Sequence, residues 1–392
     1  MTLARPPLSL YLHFPWCVRK CPYCDFNSHQ LKSAEPDGTY IDALIRDFDL
    51  ELPRLAGRRI DTVFFGGGTP SLFQPEDFSR LLGELRRRIV FADDAEVTLE
   101  ANPGTIERGR FSGYRDAGVN RVSLGAQTFA PRALETLGRI HTGEDTHRAV
   151  AELQAAKLGN FNLDLMYALP RQTLEEALED VRTACALKPA HISYYQLTLE
   201  PGTVFHARPP PLPDEEAAWQ MQTAGQEYLA NEGYVQYEVS AYARAGARCR
   251  HNLNYWLFGD YLGIGAGAHG KLSLALPQRI LRTTKPKQPR EYQEQMRRAA
   301  SREPATADGS IGECSFIALK DLPFEFMLNA LRLNEGFSTR DYRHRTGLEM
   351  SSIEVKLVAA EQRGLVTSRP DGWRPTELGR RFLNDLQASF LP

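Results

Sequence analysis

Short apolar runs alternate with amphipathic stretches along the first half of the chain. The runs fall at residues 9–14, 61–65, 96–100, 120–124, 160–167 and 191–197. Between them, at 40–55, 75–90, 106–117, 131–137, 145–158 and 173–187, apolar residues recur at three- and four-residue intervals, as with Ile41, Leu44, Ile45 and Phe48. Apolar runs of this length read as strands of a parallel sheet, and the intervening periodicity reads as helices. Six strand–helix units predict an α/β fold; eight would close a complete barrel, so six imply an open one.

The C-terminal part, from about Phe316, reads as a separate small domain. Residues 322–333 are helical in pattern, Ser338 caps a second helix, and Ser351 and Glu354 have capping-box spacing before a helix ending at Arg363-Gly364. Residues 365–368 and 373–374 flank Arg369-Pro370-Asp371-Gly372, a turn signal. Three helices and a hairpin resemble a winged helix. The expected domains are 1–205 for the barrel, 206–310 for an extension ending in a basic connector, and 311–392 for the winged-helix-like unit.

Chemistry concentrates where the strands end. Cys17, Cys21 and Cys24 follow the first strand directly, with three and then two residues between them. Three thiolates on one loop can hold three irons of a [4Fe-4S] cube and leave the fourth open to a small chelating molecule, whereas most clusters take four cysteines. Zinc held by the three cysteines with His13 or His29 is the rival reading. The second strand ends in Gly66-Gly67-Gly68-Thr69-Pro70, where glycines let the backbone take positive φ and turn its N–H groups to a ligand. Glu100 ends the third strand, Gln127 follows the fourth, Arg139 lies on the next turn and Asp164 is inside the fifth. Each alone reads as a buried hydrogen bond to a loop. An acid within an apolar strand is costly unless paired or ligand-bound, and several such residues on one rim make a pocket.

Composition narrows the surroundings. The chain is 42% hydrophobic and 24% charged with a net charge of −2, a globular balance with no overall footprint for nucleic acid. Residues 320–392 hold eleven basic and ten acidic residues, so the C-terminal domain is expected to dock on the barrel or a partner and not on DNA. Residues 279–302 hold eight Lys or Arg and two acids. That stretch reads as a solvated connector, with the carboxylates of a ligand or an anionic membrane surface as the alternatives. Six cysteines in this length do not make a disulfide framework, and Cys185 and Cys314 read as isolated buried thiols. The apolar stretch 8–14 is too short for a signal peptide and carries His13, and no run approaches the ~18 residues of a membrane span, so a cytoplasmic location is expected.

The cysteine spacing and the glycine run together resemble the radical S-adenosylmethionine (SAM) superfamily, which implies an open (β/α)6 barrel and SAM chelating the open iron. Tyr11, Glu100-Ala101-Asn102-Pro103, Ser123 to Phe129 and Leu137-Gly138-Arg139 narrow the likeness to the family of oxygen-independent coproporphyrinogen III oxidases, over nearly the whole chain. By that resemblance Tyr11, Tyr23, Gly67, Gly68, Thr69, Glu100, Gln127, Arg139 and Asp164 fall on SAM-contacting positions. Two features depart from the oxidases. They continue the cluster motif with a fourth cysteine where this chain has Phe26, and they carry a longer segment before it. His251-Asn252-Leu253-Asn254-Tyr255-Trp256 is similar instead to the signature of the HemW-type haem chaperones within that family. The resemblance then implies a carrier that binds haem, with His251 at the haem site, and passes it to acceptor proteins without acting as an oxidase. A membrane-associated acceptor and a homodimer are both compatible with it. Histidine suits haem iron, and the aromatic residues after it suit a porphyrin face; taken without the resemblance, a histidine among aromatics is more often a satisfied core residue. The runner-up is the oxidase activity itself.

Overall fold

In the computed structural model, which describes residues 3, 5–32, 38–55, 57–104, 109–274, 279–300 and 312–392, the six apolar runs are neighbouring parallel strands. They are β1 (Leu8–Phe14), β2 (Ile60–Gly67), β3 (Phe91–Ala101), β4 (Arg121–Gln127), β5 (Phe161–Tyr167) and β6 (His191–Gln196). Helices α1 (Thr39–Leu55), α2 (Pro75–Arg88), α3 (Phe111–Ala117), α4 (Pro131–Thr136), α5 (Gly143–Ala155) and α6 (Leu174–Ala186) make the crossovers. The start of the third expected helix, from Ile106, lies outside the described residues, as does the expected boundary at 310/311. Capping boxes start three of these helices: Gln74 with Asp77, Thr142 with Asp145, and Thr173 with Glu176.

Strand alternation sorts the side chains. Leu8, Leu10, Leu12 and Phe14 join Ile41, Leu44 and Phe48 of α1 in the main core. Each fully buried side chain of this kind is worth about 1.5–3 kcal/mol. The opposite face is polar. Glu100, Ser123, Asn162 and His191 are successive register partners across β3 to β6. His191 Nδ1 bonds Asn162 Oδ1 at 2.6 Å, and the Asn162 amide donates to Ser123 Oγ and Asp164 Oδ1, both at 2.8 Å. A polar interior survives because its groups satisfy one another.

The sheet extends beyond six strands. After α7 (Val204–Ala207) and α8 (Glu215–Asn231), β7 (Val235–Gln236) and β8 (Ala241–Ala243) add antiparallel on the β6 side. On the other side β9 (Asp260–Ile264) pairs parallel with β1, followed antiparallel by β10 (His269–Leu274), β11 (Arg279–Thr284) and β12 (Glu313–Phe316). The order is β12-β11-β10-β9-β1-β2-β3-β4-β5-β6-β8-β7. Helix α9 (Arg250–Trp256) lies against the early residues of β1 and β2, with Asn254 donating to Ser9 Oγ and the Asp260 carbonyl, both at 2.8 Å.

The basic stretch expected as a solvated connector is part of this wall. Residues 279–284 are β11, and α10 (Pro289–Ala300) packs on α1 through buried Tyr292 and Met296. Lys285 is buried because Asp47 Oδ1 at 2.5 Å and Glu51 Oε1 at 2.8 Å on α1 pair with it. Counting charges missed this, since the partners lie far away in sequence. Cys185 is buried as expected, but Cys314 is exposed on the edge strand β12.

The C-terminal unit packs around a second core, including Phe326, Met327, Tyr342, Leu357 and Leu386, which Leu3, Phe258 and Ile280 also enter. It contains α11 (Leu322–Ala330), α12 (Thr339–Thr346), α13 (Glu354–Gln362) and a small sheet in the order β13 (Phe337–Ser338), β15 (Gly372–Pro375), β14 (Val366–Arg369), followed by α14 (Glu377–Arg381) and α15 (Leu383–Ala388). Ser338 caps α12 as expected, its hydroxyl accepting from Asp341 N–H. The Ser351–Glu354 capping box does not form. A 3-10 turn over Met350–Ser352 precedes α13, and Ile353 stands at its N-cap.

Candidate cluster and cofactor site

The three cysteines sit on a loop that leaves β1 and is fixed at both ends. Trp16–Cys17 pairs in parallel with His29–Gln30, and Cys24 N–H donates to the Cys21 carbonyl at 3.2 Å. Asn27 ties the loop across the barrel, donating to the carbonyls of Ala266 and Lys287, both at 2.9 Å.

The glycine run at the end of β2 closes on the same loop. Gly68 and Thr69 donate to the carbonyls of Phe14 and Trp16, each at 2.7 Å. Gly67 has φ +114° and a Cβ there would meet the His13 ring at 2.5 Å, so only glycine fits. His13 in turn is held from both sides. Burial keeps it neutral, its Nε2–H donates to the Asn27 carbonyl at 2.9 Å, and Nδ1 accepts from Tyr11 OH at 2.9 Å. Tyr11 therefore acts from behind: it is not among the cavity-lining residues, and it orients the ring that the glycine turn lies on.

A cavity of about 480 Å³ opens in front of these loops. Of the expected residues, Cys17, Cys21, Cys24, Tyr23, Gly67, Gly68, Thr69, Glu100, Gln127, Arg139 and Asp164 all line it. Glu100 Oε2 accepts from Gly67 N–H at 3.1 Å, and its pKa is pushed up to about 8 by burial and then by the Asp164 carboxylate. Asp164 is likewise raised, by burial first. Gln127 is turned inward by a register shift in β4 and a φ of +69°, and Tyr195 OH donates to its Oε1 at 2.8 Å.

The thiols are not bare. Thr69 Oγ1 donates to Cys17 Sγ at 3.4 Å, and Arg139 Nη1 points to Cys21 Sγ at 3.8 Å. Asn102 connects the two, donating to Thr69 Oγ1 at 2.9 Å and accepting from Arg139 Nη2. Sequence reasoning quoted Asn102 within its motif and took only Glu100 from it. It also missed Ser123, Asn162, Ser193 and Tyr195, which line the same cavity. Period-two polar positions inside otherwise apolar strands were the signal for them. Three thiols, a guanidinium and a hydroxyl facing one cavity are a donor set suited to a cluster held one thiolate per iron. Among the described residues, no three His, Cys, Asp or Glu side chains converge on a single-ion site.

His251 is not brought to the cavity. It is 1% exposed, with Nδ1 bonded to Thr62 Oγ1 at 2.8 Å and Nε2 to Tyr255 OH at 3.0 Å. Burial, and then Arg121, push its pKa down to about 3. Its two ring nitrogens are both engaged, which is how a core histidine is satisfied. His251→Ala is therefore expected to lower the thermal midpoint of the protein by a few degrees, from about 1–3 kcal/mol for the Tyr255 hydroxyl left unpaired, while Thr62 Oγ1 keeps its bond to Ser9 Oγ at 2.7 Å. A thermal scan checks it. An unchanged midpoint would mean that the imidazole is not built into the fold as this geometry implies.

A family model described as the Radical SAM superfamily matches residues 11–184, and one described as the HemN C-terminal domain matches residues 317–382. The chain is 47% identical over 390 residues to a protein of Haemophilus influenzae named Heme chaperone HemW, covering 98% of each. It is 47% identical over 386 residues to the protein of the same name from Escherichia coli, again covering 98% of each. Among solved structures, coproporphyrinogen III oxidase (HemN) from Escherichia coli superposes with a TM-score of 0.81 at 22% identity, covering 98% of this chain and 90% of that one, a likeness of fold. No helix among the described residues is long and apolar enough to cross a membrane.

Proposed function

The chain belongs to the HemW heme chaperone family of the radical SAM superfamily, and from that premise we propose that it binds haem and hands it to acceptor proteins. The near full-length likeness to two haem chaperones carries the reading. Superfamily membership implies SAM and a [4Fe-4S] cluster. Cys17, Cys21 and Cys24 would hold three irons, and the cluster would supply the open iron at which SAM is chelated. Gly67, Gly68 and Thr69 with Glu100 would hold the methionine part, and Tyr23, Gln127, Arg139 and Asp164 would line the rest. Tyr11 supports the turn through His13. His251 would serve haem only indirectly, by holding α9 in place.

The oxidase alternative is disfavoured by Phe26, which offers no metal-binding or polar group where the oxidases carry a cysteine. Decarboxylation requires a productive geometry in which ~1 Å of misplacement can cost on the order of a hundredfold. The decisive experiment is anaerobic reconstitution followed by haem titration and an assay of coproporphyrinogen turnover. Roughly one haem per chain and no turnover are expected from a carrier site. Robust turnover without haem uptake would return the chain to the oxidases.

SAM binding carries its own pH signature. Glu100, with its pKa near 8, is mostly protonated at pH 7 in the free protein. SAM is a fixed cation, and pairing favours the carboxylate. Glu100 should then release close to one proton at pH 7 on binding, beyond any that the SAM amine loses on chelation, and its contribution to affinity should rise with pH until about 8 and level off above it. Calorimetry in two buffers of different ionisation enthalpy measures the release. In Glu100→Gln the release should fall by close to one proton, leaving only what the SAM amine gives up on chelation, and SAM should bind more weakly while iron content is kept. Proton release unchanged in that variant would take Glu100 out of the SAM site.

A further inference from the structure

Two of the large apolar side chains that the fold leaves exposed stand at the mouth of the cluster cavity, and a third lies on the helix tied to the cluster loop. Phe26 and Ile140, 58% and 59% exposed, both line it. Val204, also 59% exposed, begins α7, and the next residue, Phe205, donates its N–H to the Pro22 carbonyl of the cluster loop at 3.0 Å. Single exposed apolar residues are ordinary, but a group of them rimming a cavity marks a contact surface.

These side chains are held in place. The Lys20 ammonium donates to the carbonyls of Phe26 at 3.1 Å and Ser28 at 3.2 Å, and Ser28 N–H donates to Phe26 O at 2.6 Å. Ile140 follows Arg139, whose guanidinium is fixed by Asn102 and by the Gly125 carbonyl at 2.8 Å. An aromatic ring presented to solvent by a braced turn offers a contact face at little ordering cost. At the same mouth Arg19 is exposed and makes no ion pair or hydrogen bond among the described residues. The rim thus joins a flat apolar face to a free guanidinium, which matches a planar apolar molecule with a carboxylate at its edge.

We propose that this mouth is where haem sits, with one porphyrin face across Phe26 and Ile140 and a propionate toward Arg19. The inference rests on the haem-chaperone reading and gives that reading a location other than His251. The cofactor cavity lies directly beneath the seat. Haem and SAM then occupy one opening in series, and haem held at the rim slows the escape of SAM below it.

The test is haem titration, followed by absorbance, of the anaerobically reconstituted full chain. Phe26→Ser with Ile140→Ser should weaken haem binding roughly tenfold or more, the scale of losing one buried aromatic contact, with iron content and SAM affinity kept. Arg19→Glu should weaken haem but not haem dimethyl ester, whose propionates are blocked. In the natural sequence, SAM dissociation should slow once haem is added. Haem affinity unchanged in both variants would overturn the seat. A natural-sequence protein that takes up no haem at all would instead overturn the chaperone reading beneath it.

Discussion

Replacing Cys17, Cys21 or Cys24 by Ala is expected to abolish the cluster, taking iron in anaerobically reconstituted protein from about four per chain to nearly none. In the proposed site each thiol would hold its own iron, so two could not keep the cube. No other cysteine stands in: Cys185 and Cys249 are buried elsewhere, and Cys314 is on the outer edge strand. Burial raises the pKa of Cys17 and Cys24, so loading should release protons and proceed better at higher pH. The loop itself should persist in each variant, because Asn27 and the Trp16–Cys17 pairing hold it without metal. Iron analysis and cluster absorption read the result. A stable, colourless protein that takes up zinc and no iron would remove the cluster assignment.

The second large effect lies away from the cavity. Lys285→Met should cost about 3–5 kcal/mol, because it leaves the buried carboxylate of Asp47 without a cation and Glu51 with Arg54 alone, at 2.7 Å. The Lys285, Asp47 and Glu51 side chains are at most 1% exposed. Asp47 also accepts from Tyr292 OH at 2.9 Å and Gly265 N–H at 3.1 Å, so the loss reaches α10 and the loop after β9. Burial alone would lower the Lys285 pKa, but the two carboxylates outweigh it and hold the pKa above its usual 10.5. A folded pKa raised above the unfolded one gives stability that is complete below about pH 10.5 and fades only as pH rises through the folded value. The variant should therefore melt far lower than the natural sequence at pH 7, and the gap should narrow in strong alkali and again in acid, as Asp47 and Glu51 take up protons. A midpoint within a degree of the natural sequence would show that these carboxylates are not dependent on Lys285.

The two halves of the sheet differ in how far they could be read beforehand. Strands β1 to β6 announce themselves because one face of each is packed under a helix, as with Leu10, Leu12 and Phe14 against α1. Strands β9 to β12 carry Lys271, Arg282 and Lys285 nearby, and charge in a short segment looks like solvent. Lys271 is in fact buried against Asp260 at 3.2 Å. The site was legible where chemistry restricts the residue type, as with three cysteines at fixed spacing or a glycine that nothing else can replace. It was less legible for Asn102 and Tyr195, whose roles arise from what they touch across the barrel. His251 shows a different limit: a motif marks a residue as important without saying whether it meets a ligand or holds the fold.

The pairing of β1 with β9 sets a timetable for synthesis. One side of β1 has no neighbour until residues 260–264 have been made, although β1 itself is complete at residue 14. At about 5–20 residues per second, that interval is roughly 13–50 s. Throughout it the strand that carries the cluster loop is an open edge on the nascent chain, able to pair with a neighbouring polypeptide. Chains truncated before β9 should accordingly aggregate, and ribosome-bound intermediates of this length should be the ones that holding factors engage.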